Sequence, residues 1–99
     1  MRIIARRTLR KFWDQRSHRD AEQPLRAWFA EARRAAWRTP ADIKAAYRNA
    51  SFVGNDRVVF NFGGNKYRLV VAVKYSAQLV FVRFVGTHAD YDYIDAGEV

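Results

Sequence analysis

The sequence predicts an α+β fold, in which helices pack on one face of a small antiparallel β-sheet. Apolar residues follow helical spacing in the first half of the chain, whereas apolar and polar residues alternate in the second half, as they do in strands. Two adjacent glycines, Gly63 and Gly64, separate two of the alternating runs and suit the turn of a β-hairpin. Helices and strands that are segregated along the chain are typical of the α+β class.

Length and composition predict one domain, residues 1–99, with its own hydrophobic core. Of the 99 residues 49% are hydrophobic and 15% are aromatic, so disorder is not expected. The absence of cysteine excludes disulfides and fits a cytoplasmic protein. No apolar run approaches the roughly 20 residues that span a bilayer, and the N-terminus lacks the apolar region of a signal peptide. We therefore expect no membrane association, and no metal or cofactor, because histidine and cysteine do not cluster at zinc spacing.

The first 37 residues predict a short strand and two helices. Residues 2–6 read as an opening strand, followed by a helix over residues 8–16 that is capped by the threonine at its start. Asp20 and Gln23 resemble a capping box for a second helix over residues 21–37.

A third helix is predicted from the segment that follows. Thr39 suits the N-cap, Pro40 the first helical position, and Asp42 the positive end of the helix dipole. We expect this helix to end near residue 49.

Several aromatic and basic residues of the helical half have structural interpretations. The three tryptophans occupy apolar positions at helical spacing and are expected in the core: Trp13, Trp28 and Trp37. His18 lies in a polar connection and is expected in solvent. A solvated helix face explains three arginines better than a binding site does: Arg33, Arg34 and Arg38.

The first predicted hairpin joins residues 58–62 to a strand over residues 66–75. A two-residue turn at residues 63–64 would place Phe60 opposite Tyr67. The apolar positions of both strands then share one face of the sheet.

The second predicted hairpin turns at residues 76–77 and leads to a strand over residues 79–87. A two-residue turn places Arg83 opposite Val70, on the polar face. A three-residue turn would direct Arg83 into the core, where an unpaired guanidinium is very unfavourable.

The two faces of this sheet are expected to differ sharply. The apolar face packs on the helices and consists of Val58, Phe60, Phe62, Tyr67, Leu69, Val71, Val73, Val80, Val82 and Phe84. The opposite face gathers Arg57, Asn61, Lys66, Arg68, Lys74 and Arg83. No carboxylate occurs in the sequence between Arg57 and Arg83, and like charges on one face repel. Binding of a polyanion therefore explains this face better than simple solvation does.

The net charge of +8 points to similar partners. Residues 1–50 hold 13 cations and 5 anions, whereas residues 51–99 hold 5 of each. A basic domain of this size usually binds nucleic acid, an acidic protein, or both. An Arg-rich surface without a partner is the alternative.

The polar face offers groups that suit RNA cleavage without a metal ion. In that reaction the 2′-hydroxyl attacks the adjacent phosphate, cations stabilise the charge on the phosphate oxygens, and an acid and a base transfer protons. Arg68 and Arg83 suit the cationic role, because a guanidinium binds two phosphate oxygens at once and keeps its charge. His88, Tyr91 and Lys66 are the candidates for acid and base.

Two of these candidates have structural alternatives. His88 is also a possible capping residue of a short helix that begins at residue 87 or 88. Tyr91, together with Tyr93, could simply cover the edge of the sheet.

Two segments of the chain carry a family resemblance. "VFNFGGNKYRLVVAVKY" followed by "VFVRFVGTHADYDYIDA" resembles the HigB toxins of type II toxin–antitoxin systems, within the RelE-like group. The resemblance is most specific over residues 58–96. It implies a RelE-like α+β fold and an mRNA interferase that cleaves mRNA on the translating ribosome. It also implies a HigA-type antitoxin, usually a helix-turn-helix DNA-binding protein.

The resemblance also implies roles for particular residues. The basic sheet residues of the family correspond to Lys66, Arg68 and Arg83, and its terminal segment to His88 and Tyr91. Other residues of the same surface are candidates for RNA binding: Arg57, Asn61, Asn65 and Lys74. Two other classes of function remain open, a nucleic-acid-binding module without chemistry and a ribosome-binding translation inhibitor.

Overall fold

A five-stranded sheet forms the centre of the computed structural model, which describes residues 1–99. The strand order is β1-β5-β4-β3-β2. The strands are β1 (Arg2–Ile4), β2 (Ser51–Val53), β3 (Arg57–Phe62), β4 (Tyr67–Lys74) and β5 (Leu79–Thr87). Strand β1 is parallel to β5 and the other neighbours are antiparallel, so the sheet is mixed. The predicted α+β class is confirmed, and β2 is a strand that sequence analysis missed.

Four α-helices and one 3-10 helix accompany the sheet. They are α1 (Arg6–Trp13), a 3-10 helix (Arg16–Ala21), α2 (Glu22–Arg34), α3 (Pro40–Ala46) and α4 (His88–Tyr91). Helices α2 and α3 each end three residues before the predicted position. Ala35 and Tyr47, the first residues after them, are extended, which directs Trp37 and the Tyr47 ring back towards the protein. None of these helices combines the length and apolar character that a membrane span needs.

The predicted helix caps have different outcomes. The predicted N-cap of α3 is confirmed, and Asp42 goes beyond its predicted role, since Thr39 and Asp42 bond each other's backbone N–H groups in a capping box. The prediction for α2 is wrong, since Ala21 occupies the N-cap and Asp20 binds side chains of the sheet instead. The prediction for α1 is also wrong. Ala5 is its N-cap, and Thr8 lies inside the helix, where its N–H donates to the Ala5 carbonyl at 3.2 Å.

The helices bury one face of the sheet in a main core of 18 residues. All three tryptophans belong to this main core, as predicted: Trp13, Trp28 and Trp37. Most of the predicted apolar face belongs to it or packs against it: Val58, Phe60, Phe62, Tyr67, Leu69, Val71, Val73, Val80 and Val82. His18 is half-buried rather than solvated, since its ring stacks on Phe12 with centroids 4.2 Å apart.

The first hairpin has a longer loop than predicted. Residues 63–66 form the connection, so Phe60 pairs with Leu69 and not with Tyr67. Gly63, Gly64 and Asn65 all adopt positive φ, a conformation that glycine and asparagine tolerate best. The register is shifted by two residues, which preserves the predicted faces because side chains alternate with period two.

The second hairpin contains a β-bulge. The predicted register holds from Lys74–Leu79 to Val71–Val82, but Phe84 then pairs with Val70. Arg83 is therefore the extra residue of the bulge, and Phe84 lies on the face opposite the main core, which corrects its predicted place.

Candidate active site

Asn61, Arg68 and Gly86 lie side by side across three neighbouring strands. They alternate with residues of the main core, so Asn61 and Arg68 direct their side chains to the opposite face, which we call the site face. A Cβ atom built on Gly86 would lie 2.6 Å from Cζ of Phe84. Glycine at position 86 thus leaves room beside Arg68 for the Phe84 ring.

Arg68 is the one buried charged residue of the chain, with 7% of its surface exposed. Its Nη1 donates to the backbone oxygens of Asn65 and Tyr67, at 2.9 and 3.1 Å. The guanidinium carbon lies 5.9 Å from the centre of the Tyr91 ring, and no carboxylate is within ion-pair distance. A buried charge without a counter-ion is unfavourable. An anionic ligand would supply the missing charge and accept from the remaining N–H groups.

Helix α4 begins directly after β5 because Thr87 caps it. The Thr87 hydroxyl accepts from the Asp90 N–H at 3.1 Å, and the Asp90 carboxylate accepts from the Thr87 N–H at 3.3 Å. The capping role considered for His88 therefore belongs to Thr87. The backbone N–H of His88 donates to the carbonyl of Lys66 at 3.0 Å, which joins α4 to the β3–β4 loop.

The His88 side chain is exposed and held by a carboxylate. Its Nδ1 lies 3.3 Å from Oδ2 of Asp92, one helical turn later. This contact orients the imidazole and leaves Nε2 available to a substrate. Asp92, which sequence analysis did not select, is a functional candidate that it missed.

Tyr91 packs on the site face next to Arg68. Its ring centre is 6.5 Å from that of Phe84. Together they belong to a small apolar cluster on the site face: Val53, Val59, Val70, Phe84, Tyr91, Ile94, Ala96 and Val99. Tyr91 therefore covers part of the sheet, which was the structural alternative to a catalytic role. It also contacts the Arg68 guanidinium. Tyr93 does neither, since it is 91% exposed.

Arg83 is exposed at the bulge of β5. Its guanidinium carbon lies 5.4 Å from the centre of the Phe81 ring, and it has no acidic partner. Arg83 precedes Gly86 by three residues, which is about 10 Å along a strand. It adds a free cation to the site face without contacting Arg68.

Lys66 lies in the β3–β4 loop and not on β4, so its side chain does not join the predicted row of cations on the polar face of the sheet. Its Nζ is 2.8 Å from Oδ2 of Asp20, and the Tyr67 hydroxyl donates to the other oxygen of that carboxylate. The hydrogen bond that Lys66 donates to Asp20 raises the pKa of Lys66, and the same bond, together with the one from Tyr67, lowers the pKa of Asp20. The raised pKa favours the protonated form of Lys66, which suits the predicted role of acid better than that of base.

Two other cations of the predicted row also have partners. Arg57 donates from Nε and Nη2 to the backbone oxygen of Val99, at 3.0 and 2.6 Å. Lys74 lies 3.3 Å from Asp56. This carboxylate directly precedes Arg57 and therefore lies just outside the carboxylate-free stretch between Arg57 and Arg83. The predicted cations thus differ in their partners: Lys66 and Lys74 pair with carboxylates, Arg57 and Arg68 bind backbone oxygens only, and Arg83 has no acidic partner.

Asn61 and Asn65 line an open polar groove beside the β3–β4 loop. Three residues that sequence analysis did not select complete its polar lining: Lys44, Arg48 and Asn49. Lys44 belongs to α3 whereas Arg48 lies in the turn beyond its end, so no local spacing in the sequence signals that they share this groove.

The site assembles a buried guanidinium, a carboxylate-bound imidazole and a phenol at one end of the sheet. No group of three or more acidic, histidine or cysteine side chains is close enough to hold a metal ion. The assembled groups can neutralise an anion such as phosphate and transfer protons beside it.

Comparisons with known proteins identify the family of the chain. Residues 21–94 match the model of the HigB_toxin family, the RelE-like toxic component of a toxin–antitoxin system. The mRNA interferase toxin HigB of Escherichia coli strain K12 is 36% identical over 62 residues, which are 61% of this chain and 60% of that protein. The mRNA interferases HigB of Escherichia coli O157:H7 and Shigella flexneri match with the same identity and coverage. The match thus spans about 60% of the length of these relatives. The family match covers most of the chain, and this protein therefore belongs to the HigB family of RelE-like toxins.

Proposed function

We propose that this protein is a ribosome-dependent endoribonuclease that cleaves mRNA during translation and so inhibits growth. The observation that carries the proposal is Arg68, a buried cation without a carboxylate partner, beside Tyr91 and the helix that presents His88. The relatives named mRNA interferase support the same activity. Because the match covers only part of the length of these relatives, their activity supports the proposal for this protein and is not itself shown by the match.

In the proposed reaction, the 2′-hydroxyl of the RNA attacks the adjacent phosphorus. A base removes the 2′-hydroxyl proton, the new O2′–P bond forms, and the P–O5′ bond breaks. The departing O5′ takes a proton from an acid, which leaves a 2′,3′-cyclic phosphate and a 5′-hydroxyl end. Negative charge grows on the phosphate oxygens during this step, so positioned cations accelerate it.

Arg68 is assigned to the scissile phosphate and Arg83 to the phosphate oxygens or to a neighbouring phosphate. His88 is assigned to proton transfer through Nε2, with Asp92 as the positioning residue that contacts Nδ1. Tyr91 is assigned to the second proton transfer, because its ring lies beside the Arg68 guanidinium. Lys66 is assigned an electrostatic role at the edge of the site, since Asp20 keeps it protonated.

The remaining RNA contacts are assigned to the surface around this centre. Asn61 and Asn65 line the polar groove. Arg57 and Lys74 lie further from Arg68 and extend the positive potential that attracts RNA. We propose that no protein-bound metal takes part, which fits the absence of a clustered ligand set among the side chains.

The proposed neutralising partner is an acidic antitoxin of the HigA type. Five arginines of the helical half support an electrostatic contribution to its binding: Arg10, Arg26, Arg33, Arg34 and Arg38. Four of these arginines have no carboxylate within ion-pair distance, and Arg26 pairs with Glu22.

The direct test is induced expression in cells, followed by mapping of mRNA 5′ ends. The proposal expects new 5′ ends within translated regions and none when translation initiation is blocked. Arrested translation with intact mRNA would instead indicate a ribosome-binding inhibitor, and cleavage of untranslated RNA would remove the ribosome dependence. Metal analysis of the purified protein is a separate test, in which a stoichiometric transition metal would contradict the proposed mechanism.

A further inference from the structure

A slot opens at the edge of β3, next to the proposed active site. Strand β2 pairs only with residues 57–59, so the outer edge of β3 is uncovered over residues 60–62. Three adjoining depressions meet there, and Asn61 lines all of them. The most enclosed one is a slot of about 130 Å³ between α2 and β3.

The walls of the slot are apolar and largely aromatic. Trp28, Tyr47, Phe60 and Phe62 contribute rings, and Leu69 contributes its side chain. Such walls suit a flat heterocycle, because stacking on aromatic side chains favours any nucleobase.

Two hydrogen-bond donors of the slot have no acceptor. Nε1 of Trp28 and the hydroxyl of Tyr47 are both buried without a hydrogen-bond partner. Burial, together with the nearby Glu31 carboxylate, raises the pKa of Tyr47, so its hydroxyl remains a donor at neutral pH. Glu31 also lines the slot, but its carboxylate forms no hydrogen bond of normal geometry with this hydroxyl. Buried donors without an acceptor are unfavourable, and a ligand that accepts from them would be stabilised.

The polar groove that adjoins the slot is positively charged. Lys44 and Arg48 lie on it with three asparagines, Asn49, Asn61 and Asn65, and no acidic residue lines it. Arg48 has no ion-pair partner, whereas Lys44 donates to the backbone oxygen of Ala50 at 2.8 Å. This charge favours a ligand whose backbone is anionic.

We propose that the slot binds one base of the RNA substrate while Arg48 contacts the adjoining phosphate. This inference rests on the proposed function and extends it to a neighbouring nucleotide. Carbonyl oxygens and ring nitrogens of a base accept from Trp28 and Tyr47, and Glu31 accepts from an exocyclic amine or ring N–H. An apolar side chain of a protein partner would leave both donors unpaired.

The position of the slot is compatible with one continuous RNA strand. Asn61 is the cross-strand neighbour of Arg68, and adjacent strands are about 4.8 Å apart. The slot lies on the helix-covered side of the sheet, where Trp28, Phe60 and Leu69 belong to the main core, whereas Arg68 lies on the site face. RNA that wraps around the uncovered edge of β3 would place neighbouring nucleotides at Arg68 and in the slot.

A binding experiment with uncleavable RNA tests this proposal. The probes are pentanucleotides with 2′-O-methyl groups throughout, one intact and five with a single abasic position, titrated calorimetrically. Tyr47→Phe, which removes only the hydroxyl, is expected to weaken binding of intact RNA about fivefold, as loss of one hydrogen bond would. Arg48→Ala is expected to weaken binding to a similar degree and to lower the slope of log Kd against log salt by about one.

The controls are Tyr75→Phe, at a half-buried tyrosine outside the slot, and Arg34→Ala, at an exposed arginine of α2. At one abasic position the Tyr47→Phe effect should vanish, because the base that the hydroxyl contacts is missing. Melting temperatures of all variants are compared first, so that a folding defect is not mistaken for lost binding.

The possible outcomes separate this inference from the proposed function. Binding that depends on Tyr47 and on one base, without cleavage in cells, would support the slot and contradict the ribonuclease. Cleavage together with equal RNA binding by Tyr47→Phe and wild type, or no binding by the wild type, would overturn the slot. The slot is also overturned if Tyr47→Phe weakens binding of the antitoxin but not of RNA.

Discussion

The two faces of the sheet differ in how much structure supports them. The helix-covered face belongs to a main core of 18 buried residues, whereas the apolar cluster of the site face has three, Val59 and Val70 of the sheet and Ala96 of the chain that follows β5. Arg68 is buried on the thinner side, between two neighbours that lie in the main core. Stability is therefore concentrated on one face, which leaves the other able to hold an unpaired cation and open edges for a ligand.

The largest expected effect concerns the buried cation of the site face. Arg68→Gln should lower single-turnover cleavage on programmed ribosomes about 10³-fold, because a cation at a transferring phosphoryl group contributes on that scale. Glutamine is preferred to alanine, since Arg68 is buried and its complete truncation would also leave a cavity. Arg34→Gln on α2 is the matched control, and the proposed centre is wrong if both variants cleave alike with native melting temperatures.

The next effect separates the faces by stability. Leu69→Ala removes a fully buried side chain of the main core and should lower the free energy of unfolding by about 2–5 kcal/mol. Ile94→Ala, at a half-buried position of the site-face cluster, should cost about 1 kcal/mol. Urea unfolding of both variants measures the difference, and equal losses would mean that the two faces contribute alike.

Within the site face, His88→Asn should lower single-turnover cleavage about 10²-fold. Asparagine keeps a polar side chain but cannot transfer a proton, so a loss of less than tenfold would make His88 a scaffold residue and shift proton transfer to Tyr91. Asp92→Asn should have a smaller effect, because Asp92 contacts His88 Nδ1 and its role is to orient the imidazole. Asp95→Asn, which lies outside this contact, is the control.

Asp20 tests a link between the helix layer and the site loop. Its hydrogen bonds with Lys66 and Tyr67 lower the pKa of Asp20 below 3.8 and raise the pKa of Lys66 above 10.5. A carboxyl group whose pKa is lowered by folding stabilises the fold at pH values above its pKa in the unfolded chain. This contribution is lost as the pH falls through its pKa in the folded protein. The lysine, whose pKa is raised by folding, stabilises the fold at pH values below its pKa in the unfolded chain. This contribution is lost as the pH rises through its pKa in the folded protein. Asp20→Asn should thus melt below the wild type at pH 7, with a gap that narrows at pH 3.

Thermal melts of wild type and Asp20→Asn from pH 3 to pH 7 measure that gap. Asp14→Asn is the control, since Asp14 forms no ion pair. A gap that stays constant over this range would mean that the three side chains do not stabilise the fold through charge.

The smallest effect concerns the arginines of the helix layer. If they attract an acidic antitoxin, its association rate should fall about tenfold when salt rises from low to physiological concentration and beyond. Arg33→Gln/Arg34→Gln should show a weaker salt dependence in stopped-flow association. Rates that do not change with salt would remove the electrostatic contribution, although not the pairing itself.

Local sequence patterns were sufficient to predict those features whose interacting residues are close together in the chain. The capping box at Thr39 and Asp42 was predictable because both partners lie within one turn, and the core tryptophans follow helical spacing. The faces of β3 and β4 were also predictable, since alternation survives a register shift of two residues.

The tertiary structure alone decided the features that depend on distant partners. Asp20 binds Lys66 and Tyr67, 46 and 47 residues away, and so leaves the helix cap that its local pattern suggested. The bulge at Arg83 reverses the face of Phe84, and the next turn of chain supplies Tyr91 over Arg68. The sequence alone therefore determined which residues alternate between the two faces of a strand and which residue caps α3. Which cations remain unpaired depends on packing, because an ion pair forms between side chains that are close in space, whatever their separation along the chain.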